Sequence, residues 1–288
     1  MKALILGASG QVGTALSRAA PPHAEIVTRD RLACDVRDAD QVERELGARH
    51  FDVVFNAAAY TAVDRAEVDA ESAYLLNAHA PGILAAAARR HGVRTIHIST
   101  DFVFDGESGH AYSPEDEPRP LSVYGASKLA GERAVSLADP AALIVRTAWV
   151  YAPGGSNFVA TMLRLMETRD EIRVVADQVG TPTRARSLAD ALWAMAAGGA
   201  SGIHHFTDAG VASWYDFAVA IGEEGVAAGL VSRPVRILPI GTGDYPTPAR
   251  RPAFSVLDKS TTWNLLGQAA PHWRHSLRHH FQDLMAHG

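Results

Sequence analysis

The chemistry that this sequence suggests begins with Tyr124 and Lys128, which lie four residues apart. On a helix, side chains at this spacing lie one above the other on the same face. A phenol with an unperturbed pKa of about 10 is a weak acid–base group at neutral pH, and a neighbouring ammonium lowers that pKa by favouring the phenolate. Ser99-Thr100-Asp101 ends an apolar run upstream and supplies a hydroxyl. We therefore predict a catalytic group of Thr100, Tyr124 and Lys128.

A glycine-rich turn near the N-terminus predicts a cofactor. Gly7, Gly10 and Gly13 directly follow the first apolar run and open the first helical segment. Glycines allow close approach of the backbone to a pyrophosphate, and the helix start at Gln11 and Val12 offers free N–H groups to its charge. The position between a strand and a helix favours a dinucleotide site formed by these five residues.

Arg29 and Asp30, at the end of the second apolar run, bear on the choice of cofactor. An acidic side chain here can bind the ribose 2′-hydroxyl, whereas an arginine favours a 2′-phosphate. Because both are present, we expect NADPH to be the cofactor and NADH also to be accepted. A surface ion pair is the alternative role for Arg29. Asp35 and Val36 are predicted to flank the adenine.

The elements that must position these groups are short apolar runs that alternate with helical segments. The predicted strands are residues 3–6, 25–28, 52–56, 95–99 and 142–147. The predicted helices lie near residues 11–20, 38–46, 66–90 and 122–137. Apolar strands in alternation with helices indicate a parallel sheet covered on both faces. The predicted fold class is therefore α/β, a doubly wound Rossmann sheet.

The regular alternation weakens after Trp149, where glycine and proline become frequent. We predict that residues 1–150 form a dinucleotide-binding Rossmann domain, with a return segment near residues 172–200. Residues 151–288 are predicted to form mainly a smaller, interleaved α/β domain that binds substrate. This second domain would supply one wall of a cleft.

Composition and charge exclude several classes of protein. The 27 basic and 32 acidic residues give a formal net charge of −5, which leaves no surplus of positive charge for a nucleic-acid backbone. The first apolar run is too short for a secretory leader or a membrane span. The single cysteine, Cys34, rules out an internal disulfide and is typical of a reducing compartment. We expect a cytoplasmic protein with neither a nucleic-acid partner nor a membrane anchor.

A series of motifs in fixed order extends from Ala3 to about Asp283. The motifs are Gly7-Ala-Ser-Gly10-Gln-Val-Gly13, Asn56-Ala-Ala-Ala-Tyr-Thr61-Ala-Val-Asp64, Ser99-Thr100-Asp101, Tyr124-Gly-Ala-Ser-Lys128, Arg146-Thr147-Ala-Trp149-Val-Tyr151, Asp177-Gln178, Thr181-Pro182-Thr183 and Tyr245-Pro-Thr-Pro-Ala-Arg-Arg251-Pro252. In this series the sequence resembles the dTDP-4-dehydrorhamnose reductases, a family of extended short-chain dehydrogenases. The first four motifs occur in many extended short-chain enzymes. Thr-Ala-Val-Asp, the stretch of Asp-Gln with Thr-Pro-Thr, and Tyr-Pro-Thr-Pro-Ala-Arg-Arg-Pro are narrower.

The resemblance implies a reaction, the reduction of the C4 ketone of dTDP-6-deoxy-L-lyxo-4-hexulose to dTDP-L-rhamnose by a hydride from NAD(P)H. In that reaction Tyr124 would protonate the developing alkoxide, and Thr100 would hydrogen-bond the ketone oxygen. Lys128 would bind the nicotinamide ribose and lower the tyrosine pKa. An acid placed where charge develops stabilises the transition state more than the ground state. Ala57 and Ala58 are expected to contact the cofactor.

The resemblance also implies a set of substrate-binding residues. Those expected to line the sugar are Thr61, Val63, Asp101 and Trp149, although Trp149 could instead be a core aromatic residue. Candidates for the nucleotide side are Asn157, Phe158 and Met162. Guanidinium groups match a diphosphate well, and the candidates for that contact are Arg250, Arg251, Arg184 and Arg186.

One departure from the family concerns assembly. Some members form dimers through a magnesium ion held by glutamates, and the corresponding positions here are Ala15, Arg186 and Asp283. Magnesium needs hard oxygen ligands, and an arginine at such a site repels it. The histidines near the C-terminus lack an accompanying ligand pattern. We therefore predict no metal, and either a monomer or a metal-independent oligomer.

Two alternative functions share these features. The first is a reductase or epimerase that acts on another nucleotide-linked 4-ketosugar with the same tyrosine and lysine. The second is a non-catalytic regulatory subunit on the same fold. The presence of Thr100, Tyr124 and Lys128 argues against the second alternative, because a scaffold need not keep the acid.

Overall fold

The structure is a computed structural model that describes residues 1–287. Its strands are β1 (Lys2–Leu6), β2 (Glu25–Arg29), β3 (Val53–Asn56), β4 (Arg94–Thr100), β5 (Leu143–Thr147), β6 (Val150–Tyr151), β7 (Glu171–Val175), β8 (Val179–Gly180), β9 (Thr183–Arg184), β10 (Gly202–His205), β11 (Ala212–Ser213) and β12 (Arg236–Ile240). Its α-helices are α1 (Gln11–Arg18), α2 (Ala39–Gly47), α3 (Val63–Ala66), α4 (Ala70–Tyr74), α5 (Ala80–Arg90), α6 (Val123–Ala138), α7 (Phe158–Thr168), α8 (Ala185–Ala197), α9 (Trp214–Ala227), α10 (Ser260–Leu266) and α11 (Trp273–His287).

The main sheet is parallel and, within the described residues, has six strands in the order β10-β5-β4-β3-β1-β2. Its inner strands are apolar on both faces because helices cover both sides. Leu16 of α1 and Trp193 of α8 pack with Phe55 on one face. Leu46 of α2 and Leu84 of α5 pack on the other. The predicted doubly wound α/β fold is confirmed.

The carboxyl ends of the parallel strands meet at one edge of this sheet. Pairing places Leu6 beside both Arg29 and Asn56, and Thr100 beside Thr147. The loops that leave these strand ends carry the glycine turn, the Asn56 segment and the Thr100–Asp101 pair. In open α/β sheets, ligands bind outside the carboxyl ends of the strands. The fold therefore gathers the predicted site residues at its ligand-binding edge.

A second hydrophobic cluster lies in the C-terminal half of the chain. Its centre is formed by buried side chains of α7, α9 and α11, including Met166, Phe217 and Phe281, and β7 pairs with β12 nearby. After β9 the chain returns to the main sheet before it enters α9 of this cluster. Helix α8 packs on α1, and β10 pairs with β5, so the return continues to His205. The boundary at residue 150 stays a prediction.

The predicted helix over residues 66–90 is wrong as a continuous element. The chain there forms α3, α4, a π-helical turn at Leu75–His79 and α5. Asn77 in the turn accepts a hydrogen bond from Tyr60 N at 2.8 Å and donates to Ser127 Oγ at 3.0 Å. A Cβ on Gly131 would lie 2.0 Å from Asn77 O, so α6 contacts this turn at its backbone. These tertiary contacts fix a turn that the local sequence does not indicate.

None of the helices within residues 1–287 combines the length and the apolar character needed to cross a bilayer.

Candidate active site

The turn after β1 is closely packed against the chain that follows β3. Gly7 has a φ of +74°, and a Cβ there would lie 2.6 Å from Ala58 N and 2.7 Å from Ala57 C. A Cβ on Gly13 would lie 2.3 Å from Gly7 O. Only glycine fits such positions without displacing backbone atoms. The structure thus brings together Gly7, Gly13, Ala57 and Ala58 at the sheet edge.

Helix α1 begins at this turn. Gly10 is its N-cap residue and has no side chain to cap the helix, which leaves the first-turn N–H groups of Gln11 and Val12 for another acceptor. Gln11 Oε1 accepts a hydrogen bond from Asn157 Nδ2 at 3.0 Å. A helix N-terminus beside a glycine turn fits the pyrophosphate of a dinucleotide. Asn157, predicted for the substrate nucleotide, thus lies beside the start of α1.

The end of β2 lies beside the same turn, where Ala8 N donates to Arg29 O at 3.1 Å. Arg29 Nε donates to Glu45 Oε2 at 2.8 Å, so the guanidinium forms the ion pair that was its alternative role. Asp30 Oδ1 accepts two backbone N–H groups from the turn that follows β2. Both residues occupy the strand end at which an adenosine ribose is recognised in this fold.

Asp35 and Val36 follow that turn. Arg37 Nε donates to Asp35 Oδ1 at 2.8 Å, and this hydrogen bond lowers the pKa of the carboxyl group to about 2. Val36 is buried in the cluster that includes Leu4. Val36 therefore contributes mainly to the core. Asp35 holds the guanidinium of Arg37 on the side predicted to bind adenosine.

Helix α6 presents Tyr124 at the carboxyl end of β4. Ser122 caps this helix by accepting from Gly125 N, and the ring of Phe102 packs edge-on against Tyr124 with centroids 5.5 Å apart. Burial raises the pKa of Tyr124 to about 12, against the opposing effect of a hydrogen bond with the Thr100 side chain. The phenol is therefore protonated at neutral pH, as a proton donor must be.

Asp101 is buried between Thr100 and the C-terminal part of the chain. Thr100 Oγ1 donates to Asp101 Oδ1 at 3.1 Å. Burial raises the pKa of Asp101 to about 6, although hydrogen bonds with Ser255 and Thr100 act in the opposite direction. The structure thus brings Thr100, Asp101 and Tyr124 together as one hydrogen-bonded group.

Lys128 shares a face of α6 with Tyr124 but its ammonium group is bonded to β4. Nζ donates to Ile98 O at 2.6 Å and lies 3.4 Å from His97 Nε2. Burial lowers the pKa of Lys128 to about 8, and Glu132 one turn further along the helix opposes this shift. In this structure burial of the phenol, not the charge of Lys128, determines the direction of the Tyr124 shift.

His97 was not predicted as part of the site. Its Nδ1 lies 3.1 Å from Asn56 Nδ2, and burial together with the charge of Lys128 keeps the pKa of the imidazole well below its ordinary value. The ring is therefore neutral. The sequence marks this histidine only as a polar residue within an apolar strand, two residues before Ser99. Ser99 likewise bonds α6, through Glu132.

A small pocket lies beside Tyr124. It is lined by Phe102, Trp149, Gln178, Trp214, Arg251, Pro252 and Ser255. Arg251 donates to both oxygens of Asp64, at 3.0 and 2.7 Å, which ties the proline-rich loop to α3. Arg250 is exposed. Trp149 and Arg251 thus line the same pocket, and Trp149 is half-buried and packs against the second hydrophobic cluster.

The other predicted substrate residues do not line this pocket. Thr61 is exposed in the loop before α3, and Val63 opens that helix. Phe158 opens α7, and its ring centroid lies 4.6 Å from that of Trp214. Met162 is buried in the second hydrophobic cluster. Trp214 itself was not predicted, because only the capping signature Ser213-x-x-Asp216 marks its position in the sequence.

The three positions considered for magnesium do meet in the structure. Ala15, Arg186 and Asp283 line one cleft of about 490 Å³. Asp283 pairs with Arg184, and Arg186 Nε donates to Asp190 Oδ1 at 2.9 Å. Among the described residues no group of three or more histidine, cysteine, aspartate or glutamate side chains is arranged to hold a metal ion. Three guanidinium groups, those of Arg18, Arg184 and Arg186, and the single carboxylate of Asp283 do not fit Mg²⁺.

The fold and the site define a class of protein. A glycine turn opens the first helix of a doubly wound sheet, and a Tyr-x-x-x-Lys helix meets a strand-end hydroxyl. This combination is that of an extended short-chain reductase.

Comparison with known proteins narrows the class to a family. Residues 1–286 match the sequence family described as RmlD substrate binding domain. A dTDP-4-dehydrorhamnose reductase from Burkholderia thailandensis is 44% identical, with 99% of this chain and 100% of that protein covered. The crystal structure of a dTDP-4-dehydrorhamnose reductase from Clostridium acetobutylicum is 39% identical, with a TM-score of 0.93 and 99% of both chains covered. The chain belongs to the dTDP-4-dehydrorhamnose reductase family.

A further relative bears on the cofactor. The dTDP-4-dehydrorhamnose reductase of Bacillus anthracis was solved in complex with NADP. It is 34% identical to this chain, with a TM-score of 0.92 and 98% of this chain and 99% of that chain covered. The predicted family, fold class and oxidoreductase class are confirmed, and the predicted cofactor agrees with that complex.

Proposed function

We propose that this enzyme reduces the C4 ketone of dTDP-6-deoxy-L-lyxo-4-hexulose to dTDP-L-rhamnose, with NADPH as the reductant. The observation that carries the proposal is the meeting of Thr100 and the protonated phenol of Tyr124 at the sheet edge that also holds the glycine turn. Several relatives that match nearly the full chain bear the name of this reductase, which supports the choice of substrate.

The bound dinucleotide supplies a hydride to C4, and the chain supplies the proton. Tyr124 holds that proton, because burial keeps its pKa far above neutrality. The Thr100 hydroxyl lies beside it, and on substrate binding this hydroxyl exchanges its hydrogen bond to Asp101 for one to the carbonyl oxygen. Donors fixed before the reaction stabilise the charge that develops on that oxygen. Tyr124 is then the general acid and Thr100 the polarising donor.

Lys128 holds the nicotinamide ribose in this proposal. With a pKa of about 8 it carries a positive charge at neutral pH. The carbonyl of Ile98 fixes its ammonium group at 2.6 Å, so the side chain is held on the strand that ends at Thr100.

The contacts of the four arginine candidates support a choice among them for the substrate diphosphate. Arg251 is bonded to Asp64, and Arg184 and Arg186 are paired in the cleft beside α1. Arg250 is exposed in the proline-stiffened loop next to the pocket. We therefore assign the diphosphate contact to Arg250, and to Arg251 the task of holding the loop in place. Prolines reduce the ordering cost of such a loop.

The cellular setting belongs to the same proposal. Cys34 is a buried free thiol, in keeping with a reducing compartment, and we place the enzyme in the cytoplasm. We propose that it works without magnesium, as a monomer or a metal-independent oligomer, because the cleft at Ala15 has a single carboxylate among three arginines.

Loss of NADPH absorbance on addition of the ketosugar tests the proposal. The same assay with UDP- and GDP-linked 4-ketosugars tests the alternative substrates. We expect stoichiometric NADPH oxidation with the dTDP-linked ketone and much slower oxidation with the others. An epimerase would interconvert sugars without net NADPH consumption, and a regulatory subunit would oxidise no NADPH with any of them.

A further inference from the structure

The pocket beside Tyr124 is too small for the proposed substrate. The space lined by Phe102, Trp149, Trp214 and Arg251 measures about 20 Å³. A volume of roughly 10–15 Å³ by this kind of measure holds one water molecule, whereas small-molecule sites are usually about 300–1,000 Å³. A hexose cannot enter unless one of the lining side chains moves.

The two tryptophans that close the pocket are in direct contact. The ring centroids of Trp149 and Trp214 lie 3.5 Å apart with an interplanar angle of 7°. At this distance parallel rings have almost no lateral offset. Aromatic pairs prefer offset or edge-on arrangements with centroids about 4.5–7 Å apart, because facing π-systems repel. The stack is therefore maintained by its surroundings and is easily exchanged for another partner.

Trp149 is the fixed member of the pair. Its φ of +46° is unique among non-glycine residues of the described chain. A bulky residue keeps such a conformation only where its neighbours enforce it. Trp149 O accepts a hydrogen bond from Thr183 N at 3.2 Å, and a Cβ on Gly180 would lie 2.8 Å from the indole ring. The backbone of β8 thus packs against the indole and holds it in place.

Trp214 is the movable member. Its backbone is fixed, because Ser213 and Asp216 form a capping box and β11 pairs with β8. Its indole is partly exposed at the edge of the second hydrophobic cluster, and its aromatic ring contacts within residues 1–287 are with Trp149 and Phe158. No hydrogen bond links its side chain to another described residue. Rotation about the side-chain bonds alone would release the face of Trp149.

We propose that Trp214 is a specificity-determining residue, a gate that occupies the face of Trp149 until the hexose ring of the substrate replaces it. The inference rests on the proposed function for the identity of the sugar. A 6-deoxyhexose carries C–H groups on its ring face and a methyl group at C6, and burial of these on an indole compensates for the lost contact. A ligand without such an apolar face cannot displace Trp214.

Indole N–H resonances of the full-length protein, labelled with ¹⁵N-tryptophan, test the gate. Trp149→Phe and Trp214→Phe assign the two signals. In the free protein we expect both to be shifted upfield by the ring current of the partner. Saturation with dTDP-L-rhamnose should move the Trp214 signal downfield to an exposed position, whereas dTDP alone should leave it unchanged. The signals of Trp193 and Trp263 serve as controls.

Binding by Trp214→Leu provides a second measurement. Removal of the competing ring should lower the Kd for dTDP-L-rhamnose by about 2- to 10-fold, the range expected for one aromatic pair, and leave the Kd for dTDP unchanged. Trp214→Phe keeps a stacking ring and should bind like the wild type. A Trp214 signal that does not move at saturation, or a weaker complex with Trp214→Leu, overturns the gate.

The two proposals fail separately. If dTDP-L-rhamnose moves the Trp214 signal but the ketosugar is not reduced, the gate stands and the proposed function is wrong. If the ketosugar is reduced at a normal rate while the Trp214 signal stays in place, the function stands and the gate is wrong.

Discussion

Glu132 and Arg146 form a bidentate ion pair inside the protein, with side chains that are each 2% exposed. Arg146 Nε donates to Glu132 Oε1 at 2.9 Å, and Arg146 Nη2 donates to Glu132 Oε2 at 2.8 Å. Ser99 Oγ also donates to Glu132. Glu132 lies on the face of α6 that carries Tyr124 and Lys128. The pair therefore fixes the catalytic helix against β4 and β5.

Removal of one partner of this pair should be costly. Glu132→Gln leaves the Arg146 guanidinium buried without a counter-charge, and we expect a loss of about 3–5 kcal/mol in the free energy of unfolding. The double variant Glu132→Leu/Arg146→Met should lose less than the sum of its single variants, because no charge remains. Urea unfolding measures each value. Asp190→Asn, in an exposed pair with Arg186, is the control and should cost less than about 1 kcal/mol. Additive losses in the double variant would contradict this view.

The cofactor preference depends on Arg29. Arg29→Ala should weaken NADPH binding by about 1.5–3 kcal/mol through loss of a charged hydrogen bond to the 2′-phosphate, and leave NADH binding nearly unchanged. Glu45→Gln is the matched control, because it frees Arg29 from its 2.8 Å ion pair and should preserve or strengthen NADPH binding. Fluorescence titration with both cofactors gives the affinities. Equal weakening of NADPH and NADH binding would show that Arg29 acts only through its ion pair with Glu45 and does not contact the 2′-phosphate.

Stability should depend on pH through Asp208. Burial raises the pKa of this carboxyl group to about 6, compared with about 3.9 in the unfolded chain. Between about pH 4 and pH 6 the folded protein binds the extra proton, so the free energy of unfolding falls as pH rises through this window. The extra proton bound over this window contributes roughly 3 kcal/mol to the free energy of unfolding.

Asp208→Asn removes this dependence because its amide does not ionise. From pH 7 to pH 4, the wild type should gain up to roughly 3 kcal/mol of stability relative to Asp208→Asn, as measured by urea unfolding. Asp190→Asn, at an exposed position, should run parallel to the wild type. A constant difference between wild type and Asp208→Asn at all pH values would show that Asp208 ionises normally.

Magnesium should affect neither assembly nor activity. Arg184 and Arg186 line the cleft in which the ion would bind, and their charge repels a cation. Light scattering in millimolar Mg²⁺ and in EDTA should therefore give the same mass, and NADPH oxidation the same rate. A dimer that dissociates on chelation, or activity that EDTA abolishes and Mg²⁺ restores, would show that an oxygen-rich site exists elsewhere.

Local sequence patterns account for much of the fold. Apolar runs of β1 to β5 and the helix starts between them are short-range signals, and the observed strands agree with the predicted ones to within two residues at each end. Spacing alone also placed Tyr124 and Lys128 on one face of α6. The direction of Lys128 Nζ was not predictable, because it is set by the Ile98 carbonyl of a different element.

The features that the sequence did not indicate depend on distant contacts. The π-helical turn arises from hydrogen bonds of Asn77 to Tyr60 and Ser127, which no local pattern encodes. Trp214 meets Trp149 only because β11 pairs with β8, against which Trp149 packs. Secondary-structure propensity reflects a residue and its neighbours in the sequence, whereas these contacts form only in the tertiary fold.

The most direct test of the proposed reaction is to incubate the enzyme with NADPH and dTDP-6-deoxy-L-lyxo-4-hexulose and to identify the sugar product by NMR. We expect dTDP-L-rhamnose from the wild type. With Tyr124→Phe, which keeps the ring packing but lacks the acid, we expect the rate to fall on the order of a hundredfold or more with little change in binding. A product with the opposite configuration at C4, or near-normal turnover by Tyr124→Phe, would contradict the assignment of Tyr124 as the acid of a dTDP-L-rhamnose-forming reductase.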